Sequence, residues 1–173
     1  LFHWQPLPVA IPPEGDNLIF SGCAVFDENN TCGLCDNPDP EDESCLVAIY
    51  TTNRKTPVGF NQTQDLAFSN DGGVTWTKFE GNPVLDRGLA DFRDPKVFWY
   101  EPDQRWIMVI TLPLDRQVQI FGSPNLRDWE ELSTFGPVGA TGGVWECPDL
   151  FPMEVVNDPE TTLQANPTSV EIR

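Results

Sequence analysis

The sequence predicts an all-β chain. No stretch reads as a long helix. Seventeen Pro and thirteen Gly cut the 173 residues into short pieces. Those pieces are rich in β-branched and aromatic residues and are bounded by Asn, Asp, Gly and Pro. Many short strands punctuated in this way build a sandwich, a barrel or a propeller.

Taken in order, strands are expected at 18–25 (LIFSGCAV), 45–51 (CLVAIYT) and 65–69 (DLAFS). Further strands are expected at 96–100 (KVFWY), 106–112 (WIMVITL), 118–122 (VQIFG) and 144–151 (VWECPDLF). Turn residues separate them, as in NDGG at 70–73 and EPDQ at 101–104. A repeat favours the propeller. SNDGGVTWTKFEGNPV (69–84) and SPNLRDWEELSTFGPV (123–138) share a Ser, a polar turn, a Trp and a later Pro-Val. FHWQPLPV (2–9) reads as the tail of a third copy. The Trp of each copy (Trp4, Trp76, Trp129) is separated from the next by about one blade of 40–50 residues plus insertions. The acidic loop 27–44 is the expected insertion. Ser69, Asp71, Gly73, Thr75 and Trp76 also resemble the Asp-box turn of sialidases and other propellers, which is structural and carries no chemistry.

Composition narrows the function. The net charge is −17 and the pI about 4.1. Such a chain repels nucleic-acid phosphates and anionic membrane surfaces. No apolar run, CLVAIY included, is long enough to span a bilayer as a helix. The balance suits a soluble protein working in a mildly acidic medium. Leu1 opens the chain in mid-pattern and a polar tail closes it, so a fragment of a longer protein is expected.

Five Cys are present: Cys23, Cys32, Cys35, Cys45 and Cys147. Cys32-x2-Cys35 is a weak zinc signal, since a structural site needs four ligands and the only His is His3. Disulfide pairing in a secreted protein is the expectation, with no metal and no cofactor. Sequons at Asn29 and Asn61 agree with that compartment.

Polar groups on apolar strands mark the candidate site. They fall in FSGCAV (20–25), FRDP (92–95) and GGVWECPDLF (142–151). Arg93 and Asp94 stand at the mouth of a buried strand, where charge costs free energy unless it is paired or used. Glu146, between Trp145 and Cys147, is expected to be desolvated and so to protonate more readily. Arg93 is expected to keep its neighbour Asp94 ionised. Two carboxyls with divided roles suit cleavage of a glycosidic bond, so both should face one cavity.

The three motifs, in this order, resemble those of glycoside hydrolase family 32, the β-fructofuranosidases. FSGCAV is similar to the family's F-S-G-S/C-A-V block, FRDPKVF to its R-D-P block and WECPDLF to its E-C block. The resemblance covers residues 1 to about 154 and is closest in flavour to fungal-type members. It implies one part, about three blades, of a five-bladed β-propeller, without the β-sandwich that follows in the family. It implies a secreted retaining glycosidase acting on sucrose or fructans, or a transferase moving fructosyl units, since the three blocks are common to both. Glu146 would be the acid/base and Asp94 the transition-state stabiliser. Phe20, Ser21, Arg93, Trp145 and Cys147 would line or order the fructose site.

The family's nucleophile is an Asp in an N-D-P-N-G block, which this sequence lacks. NDPE at 157–160 lies after the acid/base and reads as a loop. The nucleophile is therefore expected upstream of Leu1, and this segment alone is expected to be inactive. The alternatives are a non-catalytic sugar-binding propeller and a related five-bladed glycosidase acting on pentose polymers.

Overall fold

A computed structural model describes residues 3–36 and 45–153. These residues form two antiparallel sheets and a single 3-10 turn, Glu101–Asp103. The first sheet has the order β1 (Leu18–Phe26), β2 (Leu46–Thr56), β3 (Gly59–Ser69), β4 (Thr77–Lys78), with β5 (Leu85–Asp86) also pairing β3. The second runs β6 (Arg93–Tyr100), β7 (Arg105–Leu112), β8 (Gln117–Ser123), β9 (Glu130–Phe135). Each sheet is a meander of the kind that makes a propeller blade, and β1 lies against β6 as the two first strands.

The core fills the space between the sheets. Val47, Ile49 and Leu66 from the first meet Val97, Met108, Ile110 and Phe121 from the second, with Phe92, just before β6, among them. Phe92 and Phe121 pack edge-to-face with centroids 6.2 Å apart.

The two repeat copies fold alike. Ser69 Oγ accepts the Gly73 amide at 2.8 Å, and Asp71 holds Thr75 through both its amide and its hydroxyl. In the second copy Ser123 Oγ accepts the Asn125 amide, and Asn125 Oδ1 accepts those of Arg127 and Asp128. Each indole closes its turn in the same way, Trp76 Nε1 on the Gly73 carbonyl and Trp129 Nε1 on that of Leu126, both at 3.0 Å. Both copies end in a cis X–Pro bond, at Pro83 and Pro137. Residues 3–9 form no strand and Trp4 stands exposed, so the third copy is not seen there.

Six of the seven expected strands are present. The seventh, 144–151, is not a strand. Gly143 and Cys147 have positive φ and Pro148 lacks an N–H, so the segment cannot keep a ladder. Its apolar residues Val144, Leu150 and Phe151 stand exposed rather than on a sheet face.

Cys35 and Cys45 form a disulfide. Cys32 lies beside them as a buried free thiol, and the three sulfurs sit within 4.8 Å of one another. Burial pushes the Cys32 thiol up to about 12, so it stays protonated. The NDPE stretch at 157–160 lies outside the described residues.

Candidate active site

Two β-bulges make the site. Between Ile19 and Gly22, β1 advances three residues while β2 advances two, from Thr52 to Tyr50. Between Arg93 and Lys96, β6 likewise advances three while β7 advances two, from Thr111 to Val109. Each bulge therefore adds one unpaired residue and re-aims side chains. The first presents Phe20 and Ser21, the second Asp94. Only glycine can follow the first bulge, since a Cβ on Gly22 would lie 2.2 Å from the Ile49 carbonyl oxygen.

Residues of both bulges line one open cleft of about 600 Å³, with Ile19, Phe20, Ser21, Arg93, Asp94, Glu146 and Cys147 in its wall. Asp94 and Glu146 thus share a cavity although they are far apart in sequence. Trp145 is not in that wall; it turns its indole N–H to the Ala140 carbonyl at 2.9 Å.

Asp94 is buried, 7 % exposed, and has a φ of +63°. A non-glycine residue held in that region is strained and persists only where its surroundings fix it. Its carboxylate accepts the Cys147 amide at 3.0 Å and the Cys147 thiol at 3.7 Å. Cys147 also has positive φ. The negative charge of Asp94 pushes the Cys147 thiol pKa up, so the thiol stays protonated.

Arg93 does not pair with Asp94. Its Nε and Nη2 donate to Glu146 Oε1 at 3.2 and 3.1 Å, and its Nη1 donates to Asp91 at 2.7 Å. Burial works against the guanidinium charge, but the hydrogen bonds and charges of Asp91 and Glu146 outweigh it and its pKa rises. The positive φ at Asp94 sends adjacent side chains in different directions, which corrects the expected Arg93–Asp94 pair. The expected desolvation of Glu146 is corrected as well. Its side chain is 53 % exposed, because segment 144–151 is a surface loop. Cys147 likewise serves Asp94 rather than Glu146.

Sequence reasoning missed Asp91, Ile19 and a set of buried polar side chains under the bulge, Thr51, Gln62 and Gln64. The signal was present, since TTN in β2 and NQTQD in β3 are polar runs inside strands. Among the sequons, Asn29 is exposed, whereas Asn61 is half-buried and spends its amide on Asp86 at 3.1 Å. The cleft wall offers carboxylates, a guanidinium and a hydroxyl. The one three-ligand thiol group among the described residues, Cys32, Cys35 and Cys45, lies elsewhere, with two of its sulfurs joined.

A family model described as the glycosyl hydrolases family 32 N-terminal domain matches residues 1–172. The chain is 48 % identical over 161 residues to a levanase of Bacillus subtilis, across 92 % of this chain and 22 % of that one. It is 44 % identical over 163 residues to an extracellular exo-inulinase of Meyerozyma guilliermondii, across 93 % of this chain and 30 % of the relative. It also matches the structure of a β-fructofuranosidase from Schwanniomyces occidentalis complexed with fructosyl-erythritol. That match has a TM-score of 0.79 and 48 % identity, covering 90 % of this chain and 30 % of the other. The chain thus spans between about a fifth and a third of the length of these relatives.

Proposed function

Because this chain belongs to glycosyl hydrolases family 32, we propose that it supplies part of the propeller and two of the three carboxylates of a retaining β-fructofuranosidase. Sucrose or a fructan is the substrate, and water or a second sugar accepts the fructosyl unit. The observation that carries this reading is the placing of Asp94 and Glu146 on one cleft, with Arg93 tied to Glu146.

Glu146 is the acid/base. Its half-exposed position lets it reach a glycosidic oxygen, give that oxygen a proton and later take one from water. Asp94 is buried and fixed by Cys147, so it meets the ring hydroxyls as a pre-set charge and stabilises the oxocarbenium-like transition state. Arg93 sets the Glu146 geometry. Phe20 and Ser21 wall the fructosyl pocket. Trp145 anchors the loop that carries Glu146 through its bond to the Ala140 carbonyl. The covalent step needs the third carboxylate, the nucleophile expected in the N-D-P-N-G block. The disulfide, the exposed Asn29 sequon and the similarity to an extracellular relative support secretion.

The test is turnover of sucrose, inulin, levan and arabinan by the full-length protein, its Glu146→Gln variant and its Asp94→Asn variant. Glu146→Gln is expected to lower turnover at least about 10²–10⁴-fold, the worth of general acid catalysis, with folding intact. Fructose binding should survive better in Glu146→Gln than in Asp94→Asn. Near-normal turnover by Glu146→Gln would refute the assignment. Wild-type sugar binding without turnover would make the protein a binding propeller, and preference for arabinan would make it the pentose-polymer enzyme.

A further inference from the structure

The bulge that carries Asp94 lacks the sheet bonds that normally hold a strand. Asp94 falls outside the β6–β7 register and Pro95 has no N–H to give. A buried amide left unpaired there would carry its full desolvation cost, on top of the strain of a positive φ.

Partners for this stretch come from the other sheet. Thr51 Oγ1 accepts the Asp94 amide at 3.1 Å and donates to Gln64 Oε1 at 2.8 Å. Gln64 Nε2 donates to the Phe92 carbonyl at 2.8 Å. Gln62 Oε1 accepts the Phe92 amide at 2.8 Å and the Arg93 Nη1 at 3.4 Å. Thr51 and Gln64 are cross-strand partners, as are Asn53 and Gln62, so all four face β6 from one side of the first sheet. Thr51 and Gln64 are fully buried and Gln62 nearly so. On the far side Thr111 Oγ1 donates to the Arg93 carbonyl at 2.8 Å.

We infer that Thr51, Gln64 and Gln62 form a positioning ladder that transmits the register of the first sheet into the placement of Arg93 and Asp94. They are positioning residues and touch no substrate. The ladder gives the Asp94 amide a partner in place of a strand bond and holds both backbone groups of Phe92 just before the bulge, and through Gln62 it also steadies the guanidinium that holds Glu146. A polar run in this interior is costly to desolvate and would be idle if packing alone were at stake. It rests on the proposed chemistry of Asp94 and Glu146.

In the full-length protein, Thr51→Val removes the bonds to the Asp94 amide and to Gln64, and Gln64→Met removes those to Thr51 and to the Phe92 carbonyl, each at nearly constant volume. Each is expected to lower kcat on sucrose about 10–100-fold, the scale of a misplacement near 1 Å, with KM changed much less. Thr51→Ser restores the hydroxyl and should recover kcat to within about threefold. A purely packing role would instead have Thr51→Val, which keeps the volume, active and Thr51→Ser impaired. Asp94→Asn and Glu146→Gln are measured beside them. If those two lose activity while Thr51→Val and Gln64→Met keep kcat within twofold, the ladder is overturned and the chemical assignment stands. If they retain turnover, the assignment fails and the ladder's role with it. Residue-resolved hydrogen exchange on the wild type requires no variant to fold. The Asp94 amide should exchange as slowly as ladder amides of β7, and exchange at loop rates overturns the inference.

Discussion

Arg93 grips a single oxygen of Glu146 with two donors, Nε at 3.2 Å and Nη2 at 3.1 Å, and keeps Nη1 for Asp91. One planar fork thereby fixes an acid on a loop relative to an acid at the strand mouth.

Lysine cannot reproduce that fork, because its ammonium is a point charge on a flexible stem. Arg93→Lys is therefore expected to lower kcat/KM on sucrose by about 10²-fold or more in the full-length protein. Circular dichroism should show the strand signal unchanged. A loss under about threefold would show that Glu146 finds its position without the fork.

Asp71 gives a pH prediction. Its bonds to Thr75 and Ser69 lower its pKa to about 2 from the usual 3.8. A carboxyl depressed in the folded state stabilises at pH above its unfolded pKa, and that contribution is lost as pH falls through the folded value. Asp71→Asn should thus melt below the wild type at pH 6. The gap should narrow between about pH 4 and pH 2. A gap independent of pH would mean the turn is held by shape and not by charge.

The Cys35–Cys45 bridge closes a loop with a sequence separation of 10. Loop-closure entropy values such a bridge at about 2–3 kcal/mol. Replacing both Cys with Ser should lower urea-unfolding stability by about that amount and leave kcat within about twofold, since the bridge lies apart from the cleft. An unchanged midpoint would show that the bridge constrains nothing in the unfolded chain.

The two sequons should behave differently. Asn29 is exposed, while Asn61 donates to Asp86 and its sequon Thr63 is fully buried. Expressed in a glycosylating host, the protein should carry a glycan at Asn29 and not at Asn61. Peptide mass spectrometry after enzymatic deglycosylation in heavy water reads this directly, and full occupancy at Asn61 would contradict it.

The strands rich in apolar residues were legible, because β2, β7 and β8 write their burial into the sequence. The strand β9, EELSTF, was not, since it is mostly exposed and its residues carry no pattern. The opposite error at 144–151 came from reading Val144, Trp145 and Phe151 as a strand face, when Gly143, Cys147 and Pro148 set the backbone instead. Site residues were legible as polar groups on apolar strands, and their pairing was not. Arg93 and Asp94 are neighbours in sequence, yet the bulge turns one toward Glu146 and the other toward Cys147. Such facts depend on a local φ that no composition reveals.

The two bulges set stability against activity at a single residue each. Deleting the extra residue at 20–21 or 94–95 would turn either irregularity into ordinary pairing, with the flanking strands still in register. That shortening removes an unpaired position at either site, and at 94–95 a strained φ as well, so it should make the sheets easier to form while erasing the cleft wall. A variant library selected for heat resistance alone would drift toward these deletions. Engineering of the full-length protein for stability therefore has to keep 20–22 and 93–96 fixed in length if the cleft wall is to survive.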